Sequence, residues 1–302
     1  MNRRYFLDKI KSTTIIGLSF PILGFYDESF IRKKITILHT NDVHSHIDSF
    51  PSDDPLNPNG GGVIARANII NKIKKDNPNT LVLDAGDIFQ GTPYYNYFGG
   101  EIELKLMSKM GYNACTIGNH EFDNGLKKLS ESLKYANFSF INSNYVFKNT
   151  PIENKIKEYE IYIIDGIKIG IFGLGIELKG LVEKKLFDGV KYLDPIEITN
   201  DITNKLKNEF KCDLIICLSH LGFSYNKKDV ISDLILAKKT KNIDLIIGGH
   251  THTFMNKPVK IKNLSGKNVI INQVGCFGIN IGKIDFYLTE KKIVEKSSSI
   301  KV

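Results

Sequence analysis

The chain has 302 residues, a formal charge of +8 at pH 7, 42% apolar and 25% charged side chains, four Cys, seven His and no Trp. That balance is ordinary for a globular protein and excludes disordered and fibrous classes, while the length allows one large domain or two modest ones. All seven histidines (His39, His44, His46, His120, His220, His250 and His252) fall in four short segments, a clustering that points to chemistry.

The chain opens on Arg3-Arg4-Tyr5-Phe6-Leu7, and an apolar stretch follows over residues 15–26, broken by Gly17, Ser19, Pro21 and Gly24. A positive head before a short apolar run describes a signal peptide, since a spanning helix needs roughly 20 apolar residues. The paired arginines resemble the bacterial twin-arginine export signal. Residues 1–30 are therefore expected to be a signal segment and residues 31–302 the functional domain. The protein is expected to be exported to the periplasm, with membrane contact only through that segment. An ordinary basic signal or an uncleaved anchor is the alternative. The first 24 residues carry Arg3, Arg4, Lys9 and Lys11 against Asp8, so without them +8 becomes +5. The remaining excess is spread as single lysines, which reads as a solvated face and not as a surface for a nucleic-acid polymer. Export would permit disulfides. Cys212 and Cys217, however, are five apart in one apolar run and are expected on opposite faces; with Cys115 in a strand-like run, buried free thiols are expected.

From Lys34 onward strands and helices alternate. Residues 35–38 are strand-like, 63–75 helix-like and stopped by Asn77-Pro78-Asn79, and 81–83 a second strand. Residues 102–110 read as a helix closed by Gly111, 114–117 as a strand, 126–136 as a helix and 138–141 as a strand. This alternation predicts a mainly parallel sheet covered by helices. Residues 159–164 and 167–172, joined by Asp165-Gly166, carry a hairpin signal. Helix-like segments flank the run 214–218 and precede the run 245–247, and the tail over 269–294 is strand-rich, giving enough strands for two sheets. Residues 53–62 read as a rim loop, not a calcium site.

Five apolar runs each lead into a polar cluster. These are His39-Thr40-Asn41-Asp42-Val43-His44, Asp84-Ala85-Gly86-Asp87, Gly118-Asn119-His120-Glu121-Phe122-Asp123, Ser219-His220 and Gly248-Gly249-His250-Thr251-His252. Ligands of open α/β sheets bind at the carboxyl ends of strands, so the clusters should converge. Asp42 and His44, like His250 and His252, are two apart and would project to the same side of extended backbone. Carboxylates and imidazoles without thiolate suit Zn, Mn or Fe(II). Asp42, Asp87, Asn119, His44, His220, His250 and His252 are more donors than one ion needs. They suit two ions about 3.5–4 Å apart sharing a carboxylate, an arrangement that activates hydroxide for phosphoryl transfer.

These five motifs together resemble the full set of the calcineurin-like metallophosphoesterases. Gly86-Asp87-Ile88-Phe89-Gln90-Gly91-Thr92-Pro93 and Asn119-His120-Glu121-Phe122-Asp123 are similar to the 5′-nucleotidase branch, its N-terminal catalytic domain only. The resemblance implies two mixed β-sheets packed face to face with helices on the outer faces, an α/β/β/α sandwich. It implies two divalent ions, with Asp42, His44, Asp87 and His252 on the first, Asn119, His220 and His250 on the second, and Asp87 bridging. It implies a hydroxide between the ions as attacking group, His120 stabilising the transition state or protonating the leaving group, and Asp123 orienting His120. Asn119 would also touch the phosphate. His39 and His46 are expected to be structural or at the rim, and Glu121 a hydrogen-bonding residue, not a ligand. Tyr94, Tyr95, Tyr97 and Phe98 could border the cleft, but packing is the expected role.

Two-domain nucleotidases continue well beyond this length into a domain whose aromatic residues and arginines grip the nucleotide. Outside the signal segment this chain has only Arg32 and Arg66. Three readings follow. The chain is a 5′-nucleotidase-like phosphomonoesterase of broad specificity, a cyclic-nucleotide phosphodiesterase remaining a related possibility. Alternatively it is the catalytic half of a split nucleotidase, with a separate C-terminal-domain protein as partner. The third reading is a non-catalytic metal-binding module.

Overall fold

A computed structural model describes residues 33–227, 230–288 and 293–302. The expected signal segment lies outside the described residues. Among those described, no helix is long and apolar enough to cross a membrane.

In chain order the strands are β1 (Lys33–Thr40), β2 (Thr80–Asp84), β3 (Ala114–Cys115), β4 (Ser139–Phe140), β5 (Tyr145–Val146), β6 (Tyr159–Ile164), β7 (Ile167–Gly175), β8 (Lys191–Tyr192), β9 (Leu214–His220), β10 (Leu245–Gly248), β11 (Val259–Lys262), β12 (Asn268–Asn272), β13 (Asn280–Leu288) and β14 (Ile293–Lys301). They form two six-stranded sheets, in the orders β14-β13-β1-β2-β3-β4 and β11-β12-β10-β9-β7-β6, with β5 and β8 paired separately. In the first sheet β1 to β4 run parallel, out to the edge at β4, and antiparallel β13 and β14 form the other edge; in the second β7, β9, β10 and β12 run parallel between antiparallel β6 and β11. Both sheets are thus mixed, as the resemblance implied.

The two-residue period of a strand sorts its side chains between two cores. Ile35 and Ile37 of β1, Leu81 and Leu83 of β2, Leu214, Ile216 and Leu218 of β9, and Leu245 and Ile247 of β10 meet between the sheets. Their neighbours point outward: Leu38 and Val82 under the helices Val63–Asp76, Glu101–Met110 and Gly125–Ser132, and Ile215, Cys217 and Ile246 under Pro195–Asn204 and Asp233–Lys239. Strands covered on both faces must be apolar on both, which is why these runs show no alternation in sequence. The result is the four-layer sandwich.

Local signals explain the boundaries. Gly111, left-handed at φ 75°, closes the helix Glu101–Met110. Asp194 caps Pro195–Asn204 by accepting from the backbone N–H of Ile196 and Glu197, with Pro195 in the first turn. The hairpin at Asp165-Gly166 forms as expected. Three expectations need correction. The strand expected over 114–117 ends at Cys115, and the helix expected over 126–136 gives way at Leu133 to a 3₁₀ turn. Cys212 and Cys217 both join the core behind the second sheet, because Cys212 lies ahead of β9 and outside its alternation. All four cysteines are nonetheless buried and free.

Candidate dimetal centre

The donors leave the sheets just beyond the carboxyl ends of parallel strands. Asp42 and His44 follow β1, Asp87 follows β2, Asn119 and His120 follow β3, His220 ends β9, and His250 and His252 follow β10. The backbone there is not extended. Asp42 (φ 48°), His44 (φ 50°), Asp87 (φ 54°), His250 (φ 71°) and His252 (φ 50°) are all left-handed. Such conformations persist in non-glycine residues only where the surroundings impose them, and they gather at functional sites. The expectation that His250 and His252 project together is therefore corrected: they turn apart, to different groups of donors.

Two such groups stand side by side. Donor atoms of Asp42, His44 and His252 lie within 4.8 Å of one another, and so do those of Asp87, His220 and His250. A third combination, His44, Asp87 and His120, links them. His44 Nε2 is 3.0 Å from His252 Nε2, and His252 Nε2 is 3.4 Å from Asp42 Oδ1. His220 Nε2 is 2.9 Å from Asp87 Oδ2, and His250 Nδ1 is 2.9 Å from Asn119 Oδ1. All seven residues expected as ligands are thus brought together.

Outer hydrogen bonds fix which nitrogen faces inward. His44 Nδ1–H donates to the Phe89 carbonyl and His220 Nδ1–H to that of Ala85, so that each Nε2 faces the centre. His220 Nε2 is buried and has no hydrogen-bond partner of good geometry. Asn41 Nδ2 donates both to Asp42 Oδ2 at 2.7 Å and to the Gly275 carbonyl, which aims the carboxylate. Glu121, buried, accepts from the backbone N–H of Asp87, Ile88, Phe89 and Gly118, so the expectation of a hydrogen-bonding role holds. At Gly118 a Cβ would lie 2.2 Å from Asp87 Oδ1; only glycine lets the two loops close.

Burial disfavours charge on His220, yet Asp87 and Asp42 outweigh it and lift the imidazole to about 10. The hydrogen bond to Asp42 and the Cys276 thiol lift His252 to about 10 as well. Burial and the neighbouring His220 push His250 down to about 4. Burial also raises the Asp87 carboxyl, but His220, His44 and His120 draw it well below the usual range. Carboxylates and inward-facing imidazoles packed this closely, with an orphaned buried nitrogen, fit two divalent ions.

His120 sits at the edge of this centre, its ring centroid 5.2 Å from that of His44. Its Nδ1 is 2.7 Å from Asp123 Oδ2, and that hydrogen bond raises its pKa. His120 N–H donates to Asp87 Oδ1 at 2.9 Å.

Other expectations resolve as follows. His39 is buried and accepts from Asn272 Nδ2, a structural role. His46 stacks on Phe50 and lies 4.3 Å from Phe277, at the rim. Tyr95 packs against Phe89, but Tyr97 and Phe98 are 84% and 50% exposed, because the helix Pro93–Phe98 is too short and peripheral to bury both faces. Arg66 is 3% exposed and lies beneath the loop after β1, out of reach of a ligand in the cleft. Sequence reading missed Asn41 and Phe277. Asn41 stands within its motif, but its role as the prop of Asp42 depends on Val274 and Gly275, over 200 positions away.

The chain belongs to the calcineurin-like phosphoesterase family, whose profile matches residues 35–254. It is similar to the snake venom 5′-nucleotidase of Gloydius brevicauda, 33% identical over 285 residues, covering 88% of this chain and 47% of that relative. Among solved structures, a 5′-nucleotidase precursor of Thermus thermophilus superposes with TM-score 0.80 at 27% identity, covering 89% of this chain and 55% of the other. The calcineurin-like phosphoesterase YfkN of Bacillus subtilis superposes with TM-score 0.73 at 27% identity, covering 89% and 91%. The chain spans about half the length of the snake venom relatives it matches.

Proposed function

We propose that this chain is a dimetal phosphoester hydrolase acting on nucleotide 5′-monophosphates and similar small phosphomonoesters. The observation that carries the reading is the meeting of seven donors, from five strand ends in two sheets, beside the hydrogen-bonded pair His120 and Asp123. Asp42, His44 and His252 would hold one ion, His220, His250 and Asn119 the other, with Asp87 shared. Once bound, the ions would supply Lewis acidity toward the phosphoryl oxygens and an acidified water.

The chain's own groups do the rest. Asp123 accepts the Nδ1–H of His120, which fixes the tautomer and turns Nε2 toward the cleft. From there His120 stabilises phosphoryl oxygens and gives a proton to the departing alkoxide, the bond to Asp123 raising its basicity. Asn119 orients the phosphate through its amide.

The deciding experiment is hydrolysis of AMP, p-nitrophenyl phosphate, bis-p-nitrophenyl phosphate and cyclic AMP with Zn and Mn supplied in turn. Release of phosphate from AMP is the expected result, and turnover of diesters alone would favour the cyclic phosphodiesterase reading. His120→Ala is expected to lose about 10²- to 10⁴-fold in kcat with metals retained. Unchanged activity in that variant would sink the mechanism and leave the metal-binding module. The burial of Arg66 favours nucleoside recognition by groups outside this catalytic domain, of which a split nucleotidase with a separate polypeptide is one form; high kcat/KM on AMP by residues 31–302 alone would exclude it. Residues 1–30 are proposed as a twin-arginine export segment ahead of a catalytic domain over 31–302, placing the protein in the periplasm. N-terminal sequencing of the mature protein checks this.

A further inference from the structure

The geometry points to Arg66 and Glu103 as an internal latch that holds the loop after β1 in shape and thereby sets the metal affinity of the Asp42, His44 and His252 group. The inference rests on the dimetal reading above.

Three of the four residues from Asp42 to Ser45 are left-handed, at φ 48°, 50° and 59°, and none is glycine. A loop so strained must be held from outside. On its cleft side the backbone N–H of Asp42, His44 and Ser45 donate to the carbonyls of Gly86, Asp87 and Ile88. Thr92 Oγ1 donates to the Ser45 carbonyl, and further contacts come from two helices. Ser45 Oγ donates to Glu103 Oε1, and Glu103 lies in the first turn of Glu101–Met110. Arg66, on Val63–Asp76, donates from Nη2 to the His46 carbonyl at 3.1 Å. The same guanidinium packs on Gly278 so closely that a Cβ there would fall 1.7 Å from Nη1. Gly278 follows Phe277, whose N–H donates to the Asp42 carbonyl at 2.7 Å. Arg66 therefore braces the Asp42 loop from both flanks.

The two charges are 3% and 5% exposed, and no ion pair joins them directly. With Ser45 they line the same small pocket of about 20 Å³ beneath the loop. Arg66 Nε and Nη1 and Glu103 Oε2 have no protein partner. An apolar pair of this volume would fill the space without desolvating two charges. Polar groups here have value because they reach His46 and Ser45, which apolar side chains cannot hold.

The test is calorimetric titration of the metal-free protein with Mn²⁺, read beside its thermal midpoint. Wild type is expected to take two ions. Glu103→Leu and Arg66→Met are expected to weaken one site about tenfold or more and spare the other. Glu103→Gln, which keeps an acceptor for Ser45, is expected to restore wild-type binding. Ser45→Ala, which buries no new charge, is expected to weaken the same single site and covers the case in which the charged variants do not fold. Folded variants that bind both ions as wild type does, or lose affinity equally at both sites, overturn the latch. A wild type that binds no metal overturns the dimetal reading itself.

Discussion

At the scale of the residue, the His120–Asp123 contact makes the most direct demand. Asp123 accepts from Nδ1 at 2.7 Å and raises the imidazole pKa. A group that must be protonated to act loses activity as pH rises through its pKa. Asp123→Asn removes the charge that holds the pKa up, so the alkaline limb of the kcat profile is expected to move to lower pH, with kcat reduced. An unchanged limb would show that His120 is not the acid. His39 makes a different demand. Burial lowers its pKa to about 3, so the folded protein keeps it neutral while the unfolded chain protonates near 6.5. The unfolded state then binds the extra proton, and stability is lost as pH falls from about 6.5 toward 3, at about 1.4 kcal/mol per pH unit for this group. His39→Gln, which keeps an acceptor for Asn272, is expected to flatten that part of the stability curve measured by urea titration.

The elements owe their stability to the double facing of their strands. Ile216 of β9 is fully buried between the sheets. Ile216→Ala is expected to cost about 2–5 kcal/mol, read as a lower urea midpoint at unchanged slope. Ile163, on the edge strand β6, is 67% exposed, and Ile163→Ala is expected to stay within about 0.5 kcal/mol. Equal losses at the two sites would mean that the sheets do not share the core described here.

Across the whole molecule, the candidate metal centre joins two sheets that otherwise meet through apolar packing. Asp42, Asp87 and Asn119 leave the first sheet, and His220, His250 and His252 leave the second. On the dimetal reading each ion binds the folded chain alone, so an ion at 100 times its Kd stabilises by about 2.7 kcal/mol. Chelation is expected to lower the thermal midpoint, and added Mn²⁺ or Zn²⁺ to restore it; a midpoint indifferent to both would contradict the shared centre.

Much of this could be read before any fold was known. The apolar runs at 35–38, 81–83, 214–218 and 245–247 predict buried strands, and the polar cluster behind each predicts a convergent site, because both signals are local in the chain. Residue identity also sets the donor chemistry, since imidazole and carboxylate carry their preferences wherever they stand. Local patterns could not give the backbone hand of Asp42, His44, His250 and His252, which long-range hydrogen bonds impose; Asp42 and His44 still meet in one group, but His250 and His252, expected on one side, part. Nor could they give the burial of Arg66 beneath its loop or the exposure of Tyr97 and Phe98. Which side chain meets which depends on the packing of segments distant in sequence. The sequence by itself determined what the site is made of. The tertiary structure alone decided which backbone conformations carry the donors and what braces them, because those contacts join residues more than two hundred positions apart.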